Sequence, residues 1–100
     1  MREVCAVLLT LTLAACSPGR PDENATGDQI YAQLCATCHG TDLSGAVGPD
    51  LGPGSNAADE TDEYLEFTVT NGRGRMPSFP SLDEEQVDRL VAYMRDLQGG

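Results

Sequence analysis

The chain has 100 residues, of which 40% are hydrophobic, so its length limits it to a single domain. Its net charge is −10, from 16 acidic and 6 basic residues, and every basic residue is an arginine. A surface this negative argues against nucleic acid and anionic membrane as direct partners. It favours a protein partner with a basic docking patch, although plain solubility or adaptation to salt explains the charge equally well.

The N-terminus carries an apolar run of twelve residues, 4–15, which is preceded by Arg2 and is too short to span a bilayer stably. This pattern is typical of a secretory signal peptide. The run ends in Leu-Ala-Ala-Cys, which resembles the lipobox of bacterial lipoproteins, where cleavage leaves a lipid-carrying cysteine as the first mature residue. We therefore expect a signal peptide over residues 1–15 and a lipidated Cys16. The alternatives are an uncleaved anchor, or ordinary cleavage that releases a soluble protein.

The segment after Cys16 is polar and contains two prolines, at positions 18 and 21, with no apolar face. Such a composition predicts a flexible tether over residues 16–26 rather than part of a core. A lipid on Cys16 would then hold the domain of residues 27–100 near the outer face of a bacterial membrane, on the periplasmic or extracytoplasmic side.

The first helix of the domain is predicted by Ile30, Tyr31 and Leu34, and it runs into the sequence Cys-x-x-Cys-His. This sequence is the attachment motif of a covalent c-type haem. On one helical turn Cys35 and Cys38 lie on the same face, where both thiols can bond to the porphyrin. His39 is the chain's only histidine and is the predicted iron ligand.

Two other sites can use the same motif. One is a dithiol redox site, which normally lies beside a βαβ pattern that this chain lacks, and the other is a zinc site, which needs four ligands. The cysteine count agrees with haem and with export: Cys5 leaves with the signal peptide, Cys16 takes lipid, and the remaining two of the four cysteines take haem, so none is left for a disulfide.

Two further helices complete the predicted domain, and no segment shows sustained strand alternation, so we predict an all-α fold. The middle helix begins after Thr61 as N-cap and ends near Asn71-Gly72. The last helix begins at Asp83, with Gln86 in a capping-box position. Its apolar residues fall on one face at helical spacing: Val87, Leu90, Val91, Met94 and Leu97.

Met76 lies in a glycine-rich loop, 72–79, where no helical periodicity explains a buried methionine. A thioether sulfur is a soft donor suited to iron, and His/Met ligation raises the reduction potential of a haem. Pro77 stiffens the point at which the sulfur would be presented. We predict Met76 as the second axial ligand, with loop packing beside an open iron position as the alternative.

Together these motifs make residues 27–100, about 74 residues, resemble the class I cytochromes c. The resemblance is carried by Cys-Ala-Thr-Cys-His-Gly at 35–40, Gly-Pro-Asp-Leu at 48–51 and Met-Pro-Ser-Phe at 76–79. It implies three main helices and loops wrapped around one covalent haem. Mammalian-type members of the family use a ring of lysines for docking, and this chain has no lysine, so the resemblance leaves the partner open.

The resemblance also implies roles for individual residues. The carbonyl of Pro49 would accept a hydrogen bond from His39, and Leu51 would line the haem pocket. Arg73 and Arg75 are candidates to pair with haem propionates, or are merely solvated. The family packs its first and last helices together through a glycine and aromatic residues, whose counterparts here are Gly27, Tyr31, Leu90 and Tyr93.

The expected function is that of a one-electron carrier rather than an enzyme, because a haem iron with both axial positions filled by protein has no open site for substrate. It would shuttle electrons between membrane-associated respiratory partners, as the family implies. Two alternatives are a haem subunit fixed in a larger oxidoreductase, and a gas-binding protein in which Met76 is displaced. For the latter, the sequence offers no second histidine as a distal acid or base.

Overall fold

The computed structural model describes residues 20–99, and in that range it contains helices and loops with no β-strand. The helices are α1 (Gly27–Leu34), α2 (Ala36–His39), α3 (Asp62–Asn71) and α4 (Glu84–Leu97), with a 3₁₀ turn at Ala57–Asp59. The predicted all-α class is thereby confirmed. The predicted signal peptide and the lipidated Cys16 lie outside the described residues. Within 20–99, none of the helices has the length and apolar character needed to cross a membrane.

Local capping explains where α3 and α4 begin and end. The hydroxyl of Thr61 accepts a hydrogen bond from the Tyr64 amide at 3.1 Å, and α3 stops at Gly72, whose φ of 78° favours glycine. At the start of α4, Asp83 and Gln86 exchange side-chain to backbone hydrogen bonds of 2.8 and 2.9 Å. Both starts and the end of α3 confirm the predictions made from sequence.

The crossing of α1 and α4 closes the fold. A Cβ atom at Gly27 would lie 2.2 Å from the Arg89 carbonyl oxygen, so only glycine permits this approach of the two backbones. One turn further along, the rings of Tyr31 and Tyr93 pack with centroids 5.6 Å apart. Leu90, on α4, is fully buried. The helix packing that the family resemblance implied is confirmed.

The predicted flexible tether is wrong in its second half. Pro21 and Ala25 are buried, and Arg89 on α4 donates to the carbonyl oxygens of Ala25 at 3.0 Å and Glu23 at 2.9 Å. Residues 21–26 therefore belong to the folded domain. Their polar side chains misled the prediction because the contacts that hold them use backbone carbonyls, which composition does not reveal.

Candidate functional site

A cavity of about 780 Å³ lies between the helices and the long loops. Ligand pockets usually fall within roughly 300–1,000 Å³, so this one has room for a large cofactor. The residues that sequence reasoning selected for cofactor and iron binding all line it: Cys35, Cys38, His39, Pro49, Leu51 and Met76. The structure thus brings into one cavity positions that are up to 41 residues apart in the chain.

The two cysteines lie at the junction of α1 and α2. The Cys35 amide continues the hydrogen bonding of α1 by donating to Tyr31 at 2.8 Å, while the Cys38 amide donates to the Cys35 carbonyl at 3.2 Å. Both thiols are free, Cys35 half-buried and Cys38 exposed. Burial raises the pKa of the Cys35 thiol to about 12, with the nearby Cys38 adding to the effect. An activated redox dithiol needs the opposite shift, so the geometry disfavours that alternative.

His39 is held in one orientation by the loop that follows it. Its side chain is buried, and Nδ1 lies 2.9 Å from the carbonyl oxygen of Pro49. A carbonyl can only accept, so Nδ1 carries a proton and donates, and in the neutral ring this leaves the lone pair of Nε2 free. This is the state in which an imidazole binds a metal.

Gly48 allows this close contact. A Cβ atom at this position would lie 2.8 Å from Cε1 of His39 and 3.0 Å from its Nδ1. The Gly48 amide also donates to the Cys38 carbonyl at 2.6 Å. The loop therefore packs directly on the histidine ring, and a glycine is required where the ring and the backbone meet.

The methionine loop is built around a tight turn. Arg73 and Met76 exchange two backbone hydrogen bonds of 3.1 and 2.9 Å, and the turn contains Gly74 at a φ of 57°. At its base, a Cβ atom on Gly72 would lie 2.7 Å from the Met76 carbonyl oxygen. The amide of Phe79 donates to α3 at 3.0 Å. The half-buried Met76 is thus presented to the cavity from a constrained loop rather than from a helix.

Sequence reasoning missed several lining residues. Tyr64 lines the cavity, and its hydroxyl accepts a hydrogen bond from the Arg73 guanidinium, whose central carbon lies 5.9 Å from the ring centroid. The ambiguous face of α3 hid this residue. Apolar side chains from α3, the methionine loop and α4 form one wall: Leu65, Val69, Phe79, Leu90 and Met94.

The zinc alternative finds no support in this part of the chain. Among residues 20–99, no three His, Cys, Asp or Glu side chains are grouped so that they could hold a metal ion. For a haem iron the cavity offers an imidazole nitrogen, from His39, and thioether sulfur, from Met76 and Met94. A haem bonded to the chain fits these donors, together with two cysteines one turn apart and a large apolar wall.

Comparison with known proteins decides the family. The family model described as "Cytochrome C oxidase, cbb3-type, subunit III" matches residues 22–94. The chain belongs to this family of c-type cytochromes. The match begins inside the segment 21–26, in agreement with the packing of that segment on α4.

Its relatives include both small and large cytochromes. The chain is 36% identical over 81 residues to cytochrome c-551 of Bacillus subtilis (strain 168), which covers 69% of this chain and 70% of that protein. It is 36% identical over 86 residues to the cbb3-type cytochrome c oxidase subunit CcoP of Rhodobacter capsulatus, covering 74% of this chain but 29% of that protein. The solved c-type cytochrome KustC0563 matches with a TM-score of 0.66 and 26% identity, over 74% of this chain and 99% of that one.

These matches confirm two predictions, the resemblance to small c-type cytochromes and the covalently bound c-type haem with its iron. A c-type cytochrome of this kind takes part in electron transfer. The cavity is the place in the fold that has the size, the cysteines and the nitrogen and sulfur donors to hold the haem.

Proposed function

We propose that this cytochrome is a one-electron carrier whose haem iron is held between Nε2 of His39 and the thioether sulfur of Met76. The observation that carries the proposal is the hydrogen bond from His39 to Pro49, because it fixes the proton on Nδ1 and leaves Nε2 free for iron. Met76 supports it as a soft donor held by a tight turn in the same cavity.

The covalent attachment is proposed at Cys35 and Cys38. Each thiol would add across one vinyl group of the porphyrin, so that the S–H proton ends on carbon and a thioether forms. The haem, once bound, supplies a single iron that gains and loses one electron. Two protein ligands leave that iron no open coordination position, which favours a carrier over an enzyme.

The other residues of the site exclude water and orient the ligands. Leu51 lines the haem pocket in this proposal, beside the apolar wall that α3 and α4 supply. Pro49 orients the imidazole through its carbonyl. The guanidinium of Arg73, steadied by Tyr64, and that of Arg75 both line the cavity and are placed to pair with the acidic groups of a haem.

The partners are proposed from charge and from the relatives. A net charge of −10 suits redox proteins with a basic docking patch, and it speaks against nucleic acid. Electron donors and acceptors among membrane-associated respiratory proteins agree with relatives named as subunits of cytochrome bc1 and cbb3 complexes. Export to the periplasmic or extracytoplasmic side, with a lipid on Cys16, would keep the carrier beside such partners.

The same relatives favour a second candidate function. The chain spans 28% of the mycobacterial bc1 cytochrome c subunit and 29% of CcoP, so its fold occurs inside larger oxidoreductase subunits. A haem subunit fixed in a complex is therefore the alternative to a mobile shuttle. Purification in detergent separates the two, since a shuttle is recovered alone and a fixed subunit is recovered with its complex.

The ligand proposal is tested by replacing, one at a time, two methionines that both line the cavity. Met76→Leu keeps the volume of the side chain and removes the sulfur, so the ferrous protein should bind carbon monoxide readily and the reduction potential should fall. Met94→Leu is the matched control, because Met94 is buried on α4 and should act only in packing. A wild type that binds carbon monoxide as fast as Met76→Leu, or a Met94→Leu variant that behaves like it, would overturn the proposal.

The anchor is tested separately. Replacement of Cys16 with serine should move the protein from the membrane fraction to the soluble fraction, because serine cannot carry the thioether-linked lipid. Cys5→Ser is the control, since the proposed cleavage removes that residue. Unchanged fractionation of the Cys16 variant would contradict the lipid anchor while leaving the haem site untouched.

A further inference from the structure

One wall of the haem cavity is a loop with little regular structure of its own. We define the wall segment as residues 52–60, of which Gly54, Ser55, Asn56, Ala57 and Glu60 line the cavity. Its secondary structure is a single 3₁₀ turn, and its backbone hydrogen bonds run between near neighbours, such as that from Ala58 to Ser55 at 3.1 Å. Such a segment depends on outside contacts to stay closed.

Arg95, in the last turn of α4, supplies those contacts. Its Nη1 donates to the carbonyl oxygens of Ala57 at 3.5 Å and Ala58 at 3.3 Å, and its Nη2 donates to that of Glu60. Its Nε forms an ion pair of 2.8 Å with Asp62, at the start of α3. Within residues 20–99, the hydrogen bonds shown for the wall segment otherwise stay inside it or reach Asp50.

Gln98 extends the same set of contacts. Its side-chain oxygen accepts from Nη1 of Arg95 at 2.8 Å, and its side-chain nitrogen donates to the Leu51 carbonyl at 2.8 Å. The C-terminal end of α4 thus holds the loop both at Leu51, directly before the wall segment, and at residues 57–60, where the segment ends. A flexible side chain with one donor could not reach three carbonyls in this way.

We propose that Arg95 is a positioning residue of the haem site, which keeps the wall segment closed over the cavity and thereby limits the access of water to the haem. This inference rests on the proposed placement of the haem in the cavity. Solvent exposure is one of the properties that set the potential of a haem. Water favours the more highly charged ferric state, so opening of the wall segment lowers the reduction potential.

Arg89 provides a matched control on the same helix. It also binds a loop to α4 through backbone carbonyls, those of Glu23 and Ala25, at 2.9 and 3.0 Å. The loop it holds, residues 21–26, does not line the cavity. Removal of either guanidinium therefore costs hydrogen bonds to loop carbonyls, two for Arg89 and three for Arg95. Only the loss of Arg95 should change the haem environment, because only its loop lines the cavity.

The experiment uses the haem-loaded protein in three variants, Arg95→Gln, Arg95→Lys and Arg89→Gln. Hydrogen exchange by NMR follows the amides of the wall segment, and a redox titration gives the reduction potential. Loss of hydrogen bonds from a charged donor should speed the exchange of the Ala58 to Glu60 amides about tenfold or more in Arg95→Gln. The potential should fall in the same variant, and Arg89→Gln should leave both quantities at their wild-type values.

Arg95→Lys keeps the positive charge beside Asp62 and loses the planar guanidinium with its several donors. We therefore expect an exchange rate and a potential between those of wild type and Arg95→Gln, and this variant also serves if Arg95→Gln does not fold. A potential that stays at the wild-type value in the Arg95 variants, or that falls equally in Arg89→Gln, overturns the proposal. Faster hydrogen exchange in the Arg95 variants with an unchanged potential also overturns it, because Arg95 would then hold the loop without affecting the haem. Exchange at the wall segment does not depend on which atoms bind the iron, so failure of the methionine proposal is distinguished by carbon monoxide binding to Met76→Leu.

Discussion

At the crossing of α1 and α4, we predict that an alanine in place of glycine lowers the stability of the protein, although helix propensity alone would raise it. Gly27→Ala should destabilise the protein, because the new Cβ would lie 2.2 Å from the Arg89 carbonyl oxygen and 2.9 Å from Cβ of Tyr93. Neither atom is the end of a flexible side chain, so the two helices must move apart. Overpacking of this kind costs about 1–3 kcal/mol.

Propensity acts in the other direction. An alanine in place of a glycine favours a helix by about 0.5–1 kcal/mol, and by less at the first position of α1, where Gly27 stands. The net loss should therefore be about 1–2 kcal/mol. In a domain of this size, each kcal/mol lowers the melting temperature by about 4–8 °C, so the variant should melt roughly 5–15 °C below wild type.

The assay is thermal unfolding of the haem-loaded protein, followed by far-ultraviolet circular dichroism. Ala32→Gly is the control, because Ala32 is exposed on the same helix and reports the propensity term alone; it should cost about 1 kcal/mol. A Gly27→Ala variant that melts at or above the wild-type temperature would refute the crossing as the reason for glycine at this position.

Three further predictions concern the loops and the caps. Gly48→Ala should lower the free energy of unfolding by about 1–3 kcal/mol, because the new Cβ would press on the His39 ring. It should also speed the solvent exchange of the Nδ1 proton of His39 in NMR spectra, and an unchanged exchange rate would contradict the contact. Asp83→Ala should cost about 0.5–2 kcal/mol in denaturant unfolding through loss of the α4 cap, and Asp83→Asn should cost far less. Burial raises the pKa of Tyr31 from 10.0 to about 12, above its value in the unfolded chain, so its contribution to stability is complete below pH 10 and is lost between pH 10 and 12. Tyr31→Phe, which loses the 2.5 Å hydrogen bond to the Gly40 carbonyl, should be less stable by about 1 kcal/mol at pH 7 and show a flatter stability curve above pH 10; an unchanged curve would contradict the assignment.

The features that sequence predicted are those with local causes. The N-caps at Thr61 and Asp83 and the glycine end of α3 depend on residues three or four positions apart, so short patterns are enough to place them. The haem motif is equally local. Of its partner loops, the one around Met76 was marked by a methionine that no helical periodicity explains. The one around Pro49 was found only through the family resemblance, since no local pattern joins it to residues 35–39.

The features that sequence missed depend on long-range backbone contacts. Arg89 binds carbonyls 64 and 66 residues away, and Arg95 binds carbonyls 35 to 38 residues away. A carbonyl is present at every residue, so nothing in the sequence marks which ones an arginine will reach. Leu43 is a related case: it is fully buried with a φ of 66°, a backbone conformation for which a leucine gives no local signal.

The most direct measurement of the central claim is X-ray absorption at the iron edge of the purified ferric protein. The account predicts one sulfur among the atoms bound to the iron in wild type and in Met94→Leu, and no sulfur in Met76→Leu. Wild-type iron surrounded only by nitrogen or oxygen, or a sulfur signal that survives in Met76→Leu, would contradict the ligation of the haem iron by His39 and Met76.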